Sequence, residues 1–247
     1  MKTIVIAAGY ATRLGELTKN FPKPLLKIGN NTILGRLLDD IDPIADIDEH
    51  IIVTNHRFAP IFDKWAKEQH YTKPFTIVDD GTNNNEERLG AVGDLLFVMA
   101  QKRIKDDMLV VAADNLLFFR FQEFVDFAKE KGTSCIMYHE QPSIEKLQRT
   151  GVVVLDENNK VLEMAEKPQQ PKTHHAVPPF YLYKTKDFNL IRHALEKGCS
   201  NDAPGNLAHY LVERTTMHAW PMNGERFDIG SLDTYYEACE KYGNERK

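Results

Sequence analysis

Apolar residues along this chain come in short runs separated by amphipathic stretches. Residues 4–8 (IVIAA) form an uninterrupted apolar run of strand length, and HIIVTN (50–55), FTIVDD (75–80), MLVVAAD (108–114) and SCIMYHE (134–140) repeat the pattern. Between them, apolar positions recur at three- and four-residue spacing, as in a helix that lays one face on a core. Ile33, Leu34, Leu37, Leu38 and Ile41 do so after Thr32, and Phe58, Ile61, Phe62 and Trp65 do so next. A third helix is predicted from about Ala91, and a fourth over Phe121, Phe124, Val125 and Ala128, ended by Gly132. Strands alternating with helices predict βαβ units and a mainly parallel sheet covered on both faces. In such sheets ligands bind beyond the carboxyl ends of the strands, where residues 9–13, Asp79, Asp80 and Asp114 would fall.

The pattern changes after residue 140. GVVVLDENNKVLEMAEKP (151–168) reads as two strands and a polar turn, a hairpin signal. FYLYKT (180–185) is a further strand, followed by helices around Asp187–Glu196 and Gly205–Arg214. HAWPM (218–222) and RFDIG (226–230) precede a last helix from about Leu232. With no low-complexity linker or internal repeat, the sequence reads as one domain over 1–247 with a small β-rich lobe.

Composition narrows the class. The 247 residues are 42% hydrophobic and 27% charged, enough for a sizeable core in a soluble globular chain. A net charge of −5 lacks the basic excess of a nucleic-acid surface, so no nucleic-acid partner is expected. Three cysteines, Cys135, Cys199 and Cys239, have no C-x-x-C spacing and are too few and too odd for a disulfide framework; Cys135 reads as a core thiol. No apolar stretch approaches membrane-spanning length, and the first apolar run is too short for a secretion signal. A cytoplasmic protein with no membrane partner is the expectation.

Candidate chemistry begins at the first strand, which runs into GYATRLGELTKNFPKPLL (9–26). A small-residue loop at a strand end can turn backbone N–H groups toward phosphates. Gly9 removes a side chain where a phosphate must come close. Arg13 offers a forked cation, and Lys23, fixed between Pro22 and Pro24, a point charge. Asp114 closes a strand and is placed to bind Mg²⁺, although an Asp there also suits a helix N-cap.

These residues resemble the signature of the sugar-1-phosphate nucleotidyltransferases, roughly G-x-G-T-R-L-x-P-x-T-x-x-x-P-K-P-L. Gly9, Thr12, Arg13, Leu14, Thr18, Pro22, Lys23, Pro24 and Leu25 match in order and spacing, with Ala11 for the second glycine and Glu16 for the proline. LGAVGDL (89–95) resembles the family's L-G-T-A-G-A-L base loop through Gly90 and Gly93, with Ala91 and Asp94 departing. Asp114-Asn115 resembles its Gly-Asp-Asn, Glu166-Lys167-Pro168 its Glu-Lys-Pro, and FDIGS (227–231) the segment of its second metal-binding aspartate, Asp228. Pro178-Pro179 stands where the family often has a glycine.

The resemblance implies a Rossmann-like three-layer αβα fold of the GT-A-like nucleotide-diphospho-sugar transferase type. It implies a nucleotide-binding half over about 1–140 and a sugar-phosphate-binding half over about 141–247; unlike many of that family, this sequence is expected to have no C-terminal hexapeptide-repeat domain. Arg13, Lys23, Asp114, Lys167 and Asp228 would be catalytic, with Asp114 and Asp228 holding Mg²⁺. Ala7, Ala8, Gly9, Tyr10, Ala11, Thr12, Arg13, Lys23, Asp80, Gly90 and Asp114 would bind the nucleotide. Asn115, Glu166, Lys167 and Tyr181 would bind the sugar phosphate. The implied partners are a nucleoside triphosphate and a sugar 1-phosphate or related phosphate; oligomeric state stays open. The implied reaction is attack of the acceptor phosphate on the α-phosphorus with release of pyrophosphate, with dTTP or UTP and glucose 1-phosphate as first choice. A cytidylyltransferase for a sugar phosphate or phosphocholine, an adenylyl- or guanylyltransferase, and a non-catalytic sugar-nucleotide-binding regulator are the alternatives.

Overall fold

Thr32 starts the first long helix by local chemistry: its Oγ1 accepts from the Gly35 N–H at 2.9 Å, satisfying an N-terminal amide that the helix itself cannot. Ile33, Leu34, Leu37, Leu38 and Ile41 then face inward, all buried. The computed structural model describes residues 1–243, apart from the side chain of residue 12. In chain order it contains β1 (Lys2–Ile6), β2 (Lys27–Ile28), β3 (Asn31–Thr32), α1 (Ile33–Ile41), β4 (Glu49–Thr54), α2 (Ala59–Lys67), β5 (Phe75–Asp79) and α3 (Ala91–Gln101). β6 (Met108–Ala112), β7 (Asn115–Leu117), α4 (Phe121–Lys131), β8 (Ser134–Glu140), α5 (Ile144–Leu147), β9 (Gly151–Leu155) and β10 (Val161–Glu166) follow. The chain continues with β11 (His175–Val177), β12 (Phe180–Tyr183), α6 (Phe188–Arg192), α7 (Pro204–Val212), β13 (Met217–Pro221), β14 (Arg226–Asp228) and α8 (Leu232–Tyr242).

Ten strands form one mixed sheet in the order β10-β9-β11-β8-β12-β6-β1-β4-β5, with β13 also paired to β8. β5, β4, β1 and β6 are mutually parallel, as the alternation predicts. β12 inserts antiparallel between β6 and β8. Strand β4 shows why these strands are apolar throughout: Ile51 and Val53 enter the core on one face, and Ile52 enters the core on the other. The first face is covered by α3, α6 and α7 through residues such as Leu95, Val98, Ile191 and Leu211. The second is covered by α1, α2 and α4 through Leu38, Phe62 and Phe124. This is the expected three-layer α/β architecture. Cys135 is fully buried within it, and burial pushes its thiol up to about 11. Among the described residues no helix is long and apolar enough to cross a membrane.

The β-rich part expected after residue 140 is continuous with the main sheet. β11 and β12 run as one line along β8: Ala176 pairs with His139 and Tyr181 with Ile136, five residues against three. The two extra residues are absorbed at Pro178-Pro179, which have no N–H to give a ladder. On its other side the line changes partner there, from β9 before the prolines to β6 after them.

The last segments return to the beginning of the chain. β14 pairs antiparallel with β7, setting Asp228 opposite Asn115. Helix α8, started by a Ser231–Thr234 capping box, packs Ala238 and Tyr242 against Leu14, Leu26, Ile28 and Ile33. Tyr235 donates to the Lys27 carbonyl at 2.9 Å, and Arg36 to the Tyr242 carbonyl at 2.9 Å. The segment that resembles the signature is thereby clamped between α1 and α8.

Candidate active site

β1 ends at Ile6, and Ala7 and Ala8 carry the chain over the sheet edge. Asn55, fully buried beyond β4, fixes the exit by donating to the Ala8 carbonyl at 3.0 Å. Ala11 adopts φ 46°, a left-handed conformation that few residues other than glycine take. Its carbonyl then accepts from Leu14 N–H at 3.0 Å and Thr18 Oγ1 at 2.9 Å. A Cβ on Gly9 would meet no atom within 4 Å, so its bareness serves nothing inside the protein and leaves space on the cavity side. The side chain of Thr12 lies outside the described residues.

A cavity of about 400 Å³, within the range of small-molecule sites, opens where this loop meets the ends of β1 and β6. Ala7, Ala8, Gly9 and Ala11 line one side, and Lys23, Asp114 and Asp228 another. Gly90 and Asp94 of the α3 end face them, with Ile6, Val110 and Ala112 beneath. Lys23 donates to Asp114 Oδ2 at 3.0 Å, and Asn115 Nδ2 to Asp114 Oδ1 at 2.7 Å. Arg226 completes the chain with a bond to Asn115 Oδ1 at 2.8 Å. Asn115 is only 1% exposed, so it acts as a bridge between Asp114 and Arg226.

The Asp228 carboxyl is held above the ordinary carboxylate range, first by the protein around it and then by the negative charge of Asp114; Arg226, Lys23 and Arg13 work the other way. Two carboxylates that feel each other across a cavity lined by few cations form a hard-oxygen pair suited to Mg²⁺. Among the described residues no group of three or more His, Cys, Asp or Glu converges to enclose a metal. Mg²⁺ habitually takes one or two protein carboxylates and completes its shell with phosphates and water, so this donor set fits it.

Gly90 needs its φ of 78°, and a Cβ there would lie 2.3 Å from the Asn201 carbonyl. The first amides of α3 are already used by that neighbouring loop: Ala91 and Val92 donate to the Asp202 and Asn201 carbonyls, each at 3.1 Å. Arg88 and Asp202 pair at 2.9 Å on the cavity rim.

The remaining predicted residues are spread around this centre. Arg13 is exposed, and its charge reaches Asp228. Tyr10 turns to a second hollow with Arg57 and Asn84, its hydroxyl 3.3 Å from Thr82 Oγ1. Asp80 is buried behind the cavity wall, its Oδ1 accepting from Thr82 N–H at 2.7 Å and Thr82 Oγ1 at 2.8 Å. Half-buried Glu166 sits against Gly205 and Gly151, and burial raises its carboxyl. Lys167 is exposed and carries φ 50°, although it precedes Pro168; positive φ in a residue other than glycine marks strain that tends to gather at functional sites. Tyr181 is 2% exposed and stacks on Tyr183 at 5.8 Å, inside the core. Sequence reasoning missed Arg226, Arg88 and Asp202, whose places depend on pairings more than 100 residues apart in the chain.

Residues 2–245 match the model of the nucleotidyl transferase family. The chain belongs to that family of nucleotidyl-transferring enzymes. It is 24% identical over 254 residues to the UTP–glucose-1-phosphate uridylyltransferase AglF of Haloferax volcanii, covering 99% of this chain and 98% of that one. It is 25% identical to the bifunctional protein GlmU of Methanococcus aeolicus over 93% of this chain, and spans about half, 51%, of that relative's length. It shares the fold of UDP-glucose pyrophosphorylase solved with UDP-glucose, with a TM-score of 0.83, 21% identity and 99% of each chain covered.

Proposed function

We propose that the protein transfers a nucleotidyl group from a nucleoside triphosphate to a sugar 1-phosphate, giving a nucleotide sugar and pyrophosphate. The carrying observation is the Lys23–Asp114 pair in the same cavity as Asp228 and the signature loop. Naming of a relative as a UTP–glucose-1-phosphate uridylyltransferase, and of a fold neighbour by its UDP-glucose complex, supports UTP or dTTP with glucose 1-phosphate.

The acceptor phosphate is already ionised at neutral pH, so the chain needs no general base; it has to position and neutralise. The backbone of residues 7–11 receives the nucleotide, and Arg13 and Lys23 hold its phosphates. Lys167 holds the acceptor phosphate and Glu166 the sugar hydroxyls. Asp114 and Asp228 would hold Mg²⁺, which when bound neutralises phosphate charge at the reacting centre. Asn115 keeps Asp114 oriented.

The test is pyrophosphate release in Mg²⁺ buffer, crossing UTP, dTTP, CTP, ATP and GTP with glucose 1-phosphate, mannose 1-phosphate, N-acetylglucosamine 1-phosphate and phosphocholine. Release with UTP or dTTP and glucose 1-phosphate is expected. Release with another pair keeps the reaction and changes the substrates. Silence throughout, with a nucleotide sugar still bound, identifies a regulator.

A further inference from the structure

We propose that Asp94 reads the nucleoside: its carboxyl hydrogen-bonds the base or ribose of the bound nucleotide from the cavity wall. This rests on the nucleotidyl-transfer reading of the cavity and adds a specificity-determining residue to it.

The geometry starts on β5. Val78 packs in the core with Val92 and Leu95 of α3, and Asp80, two residues further on, faces the same way. It meets Asp94 in the first turn of α3. Asp94 is 4% exposed and Asp80 8%, yet Asp94 lines the cavity beside Ile6, Val110 and Ala112. Asp80 Oδ2 and Asp94 Oδ1 find no donor among the described residues. The two buried carboxyls act on each other, and a like charge beside a buried acid disfavours its ionised form. Burial, then the Asp80 charge, pushes the Asp94 carboxyl up to about 8, while Asp79 adds negative charge on the Asp80 side. The other charges near this end of the cavity, Arg88 and Asp202, are paired with each other on the rim.

The Asp94 Oδ1 gives the fold no hydrogen bond among the described residues. An apolar side chain would fill the position without desolvation. The favourable effect of an acid on a helix N-terminus needs a charge, which burial and then the Asp80 charge oppose on Asp94. What a buried, unpartnered carboxyl on the cavity wall offers is hydrogen bonding to an N–H or hydroxyl of a ligand. Lys23 lines the same cavity and suits the phosphates, which a carboxyl at Asp94 does not attract. The nucleoside is the part of the nucleotide that suits it.

The experiment is calorimetric titration of the full chain in Mg²⁺ buffer at pH 7. UTP, dTTP, CTP, ATP and GTP are titrated into the wild type, the tightest binder is carried into Asp94→Ala and Asp94→Asn, and tripolyphosphate serves as a nucleoside-free probe. Asp94→Ala should weaken the nucleotide about tenfold or more, leave tripolyphosphate unchanged, and melt no lower than the wild type. Asp94→Asn, neutral and of the same shape, should retain most of the affinity. Wild-type binding to Asp94→Ala overturns the inference. So does equal loss of nucleotide and tripolyphosphate, or a marked fall in melting temperature, each of which assigns a structural role. If the wild type binds none of the five nucleotides, the nucleotidyl-transfer reading itself fails, and the inference with it.

Discussion

Lys23 Nζ lies 3.0 Å from Asp114 Oδ2, although 91 residues separate the two in the chain. The pair ties the signature loop to the end of β6, and Lys23 is 9% exposed. Lys23→Ala should lower kcat about 10²–10³-fold, the scale of a lost electrostatic group, read in a pyrophosphate-release assay. Lys23→Arg should not restore it, since a planar fork replaces a point charge. Near-normal turnover of Lys23→Ala would remove the lysine from the chemistry.

Stability should depend on pH through Asp94. Its folded-state carboxyl is pushed up to about 8 from an ordinary 3.8, so between those values the folded chain keeps a proton that the unfolded chain releases. Asp80, also raised, acts in the same direction. Their contribution is therefore fully present below about pH 4, declines as pH rises toward 8, and is level beyond. Urea unfolding of the wild type and Asp94→Ala across pH 5–9 should show the difference between them growing with pH in favour of the variant. A constant difference would mean that the acid is not protonated in the fold.

Lys167 sets activity against strain. With φ 50° it holds a conformation that costs about 1–3 kcal/mol in most residues. Lys167→Gly should stabilise the protein by about 1 kcal/mol and lose acceptor binding, seen as a raised KM for the sugar 1-phosphate. Lys167→Ala should lose the same binding without the stability gain. Equal melting of the two variants would show that the strain is relieved elsewhere.

Gly90→Ala should cost about 1–3 kcal/mol by chemical unfolding, because φ 78° and the Asn201 carbonyl 2.3 Å from the added Cβ both oppose it. The end of α3 should shift with it, so the KM for the nucleotide should rise more than kcat falls.

Much of this was legible in the sequence because the core is built from plain periodicities. The parallel strands are buried on both faces and read as apolar runs, and α1, α2 and α4 carry one apolar stripe each. Strand ends were read late where small residues continue the run: 4–8 against Lys2–Ile6, and 108–114 against Met108–Ala112. Ala7, Ala8 and Ala113 are apolar and buried, but they lie past the strand ends and line the cavity. Two-residue strands such as β2 and β3 are too short for any period. The signature loop, Lys23, Asp114 and Asp228 were found by their spacing against a known pattern. The Asp114–Asn115–Arg226 chain was not, because β7–β14 pairing across 111 residues leaves no local trace. Asp94 was visible as a departure from that pattern, but its place beside Asp80 depends on how α3 lies on β5.

The line formed by β11 and β12 has a consequence for how the molecule comes apart. Its front section is hydrogen-bonded to β9, its rear section to β6, and β8 spans both. Neither the first 140 residues nor the remainder owns a complete sheet, so peeling one away exposes edge backbone in the other. Folding cooperativity is therefore shared across the seam at Pro178-Pro179, and unfolding should proceed as one event rather than half by half.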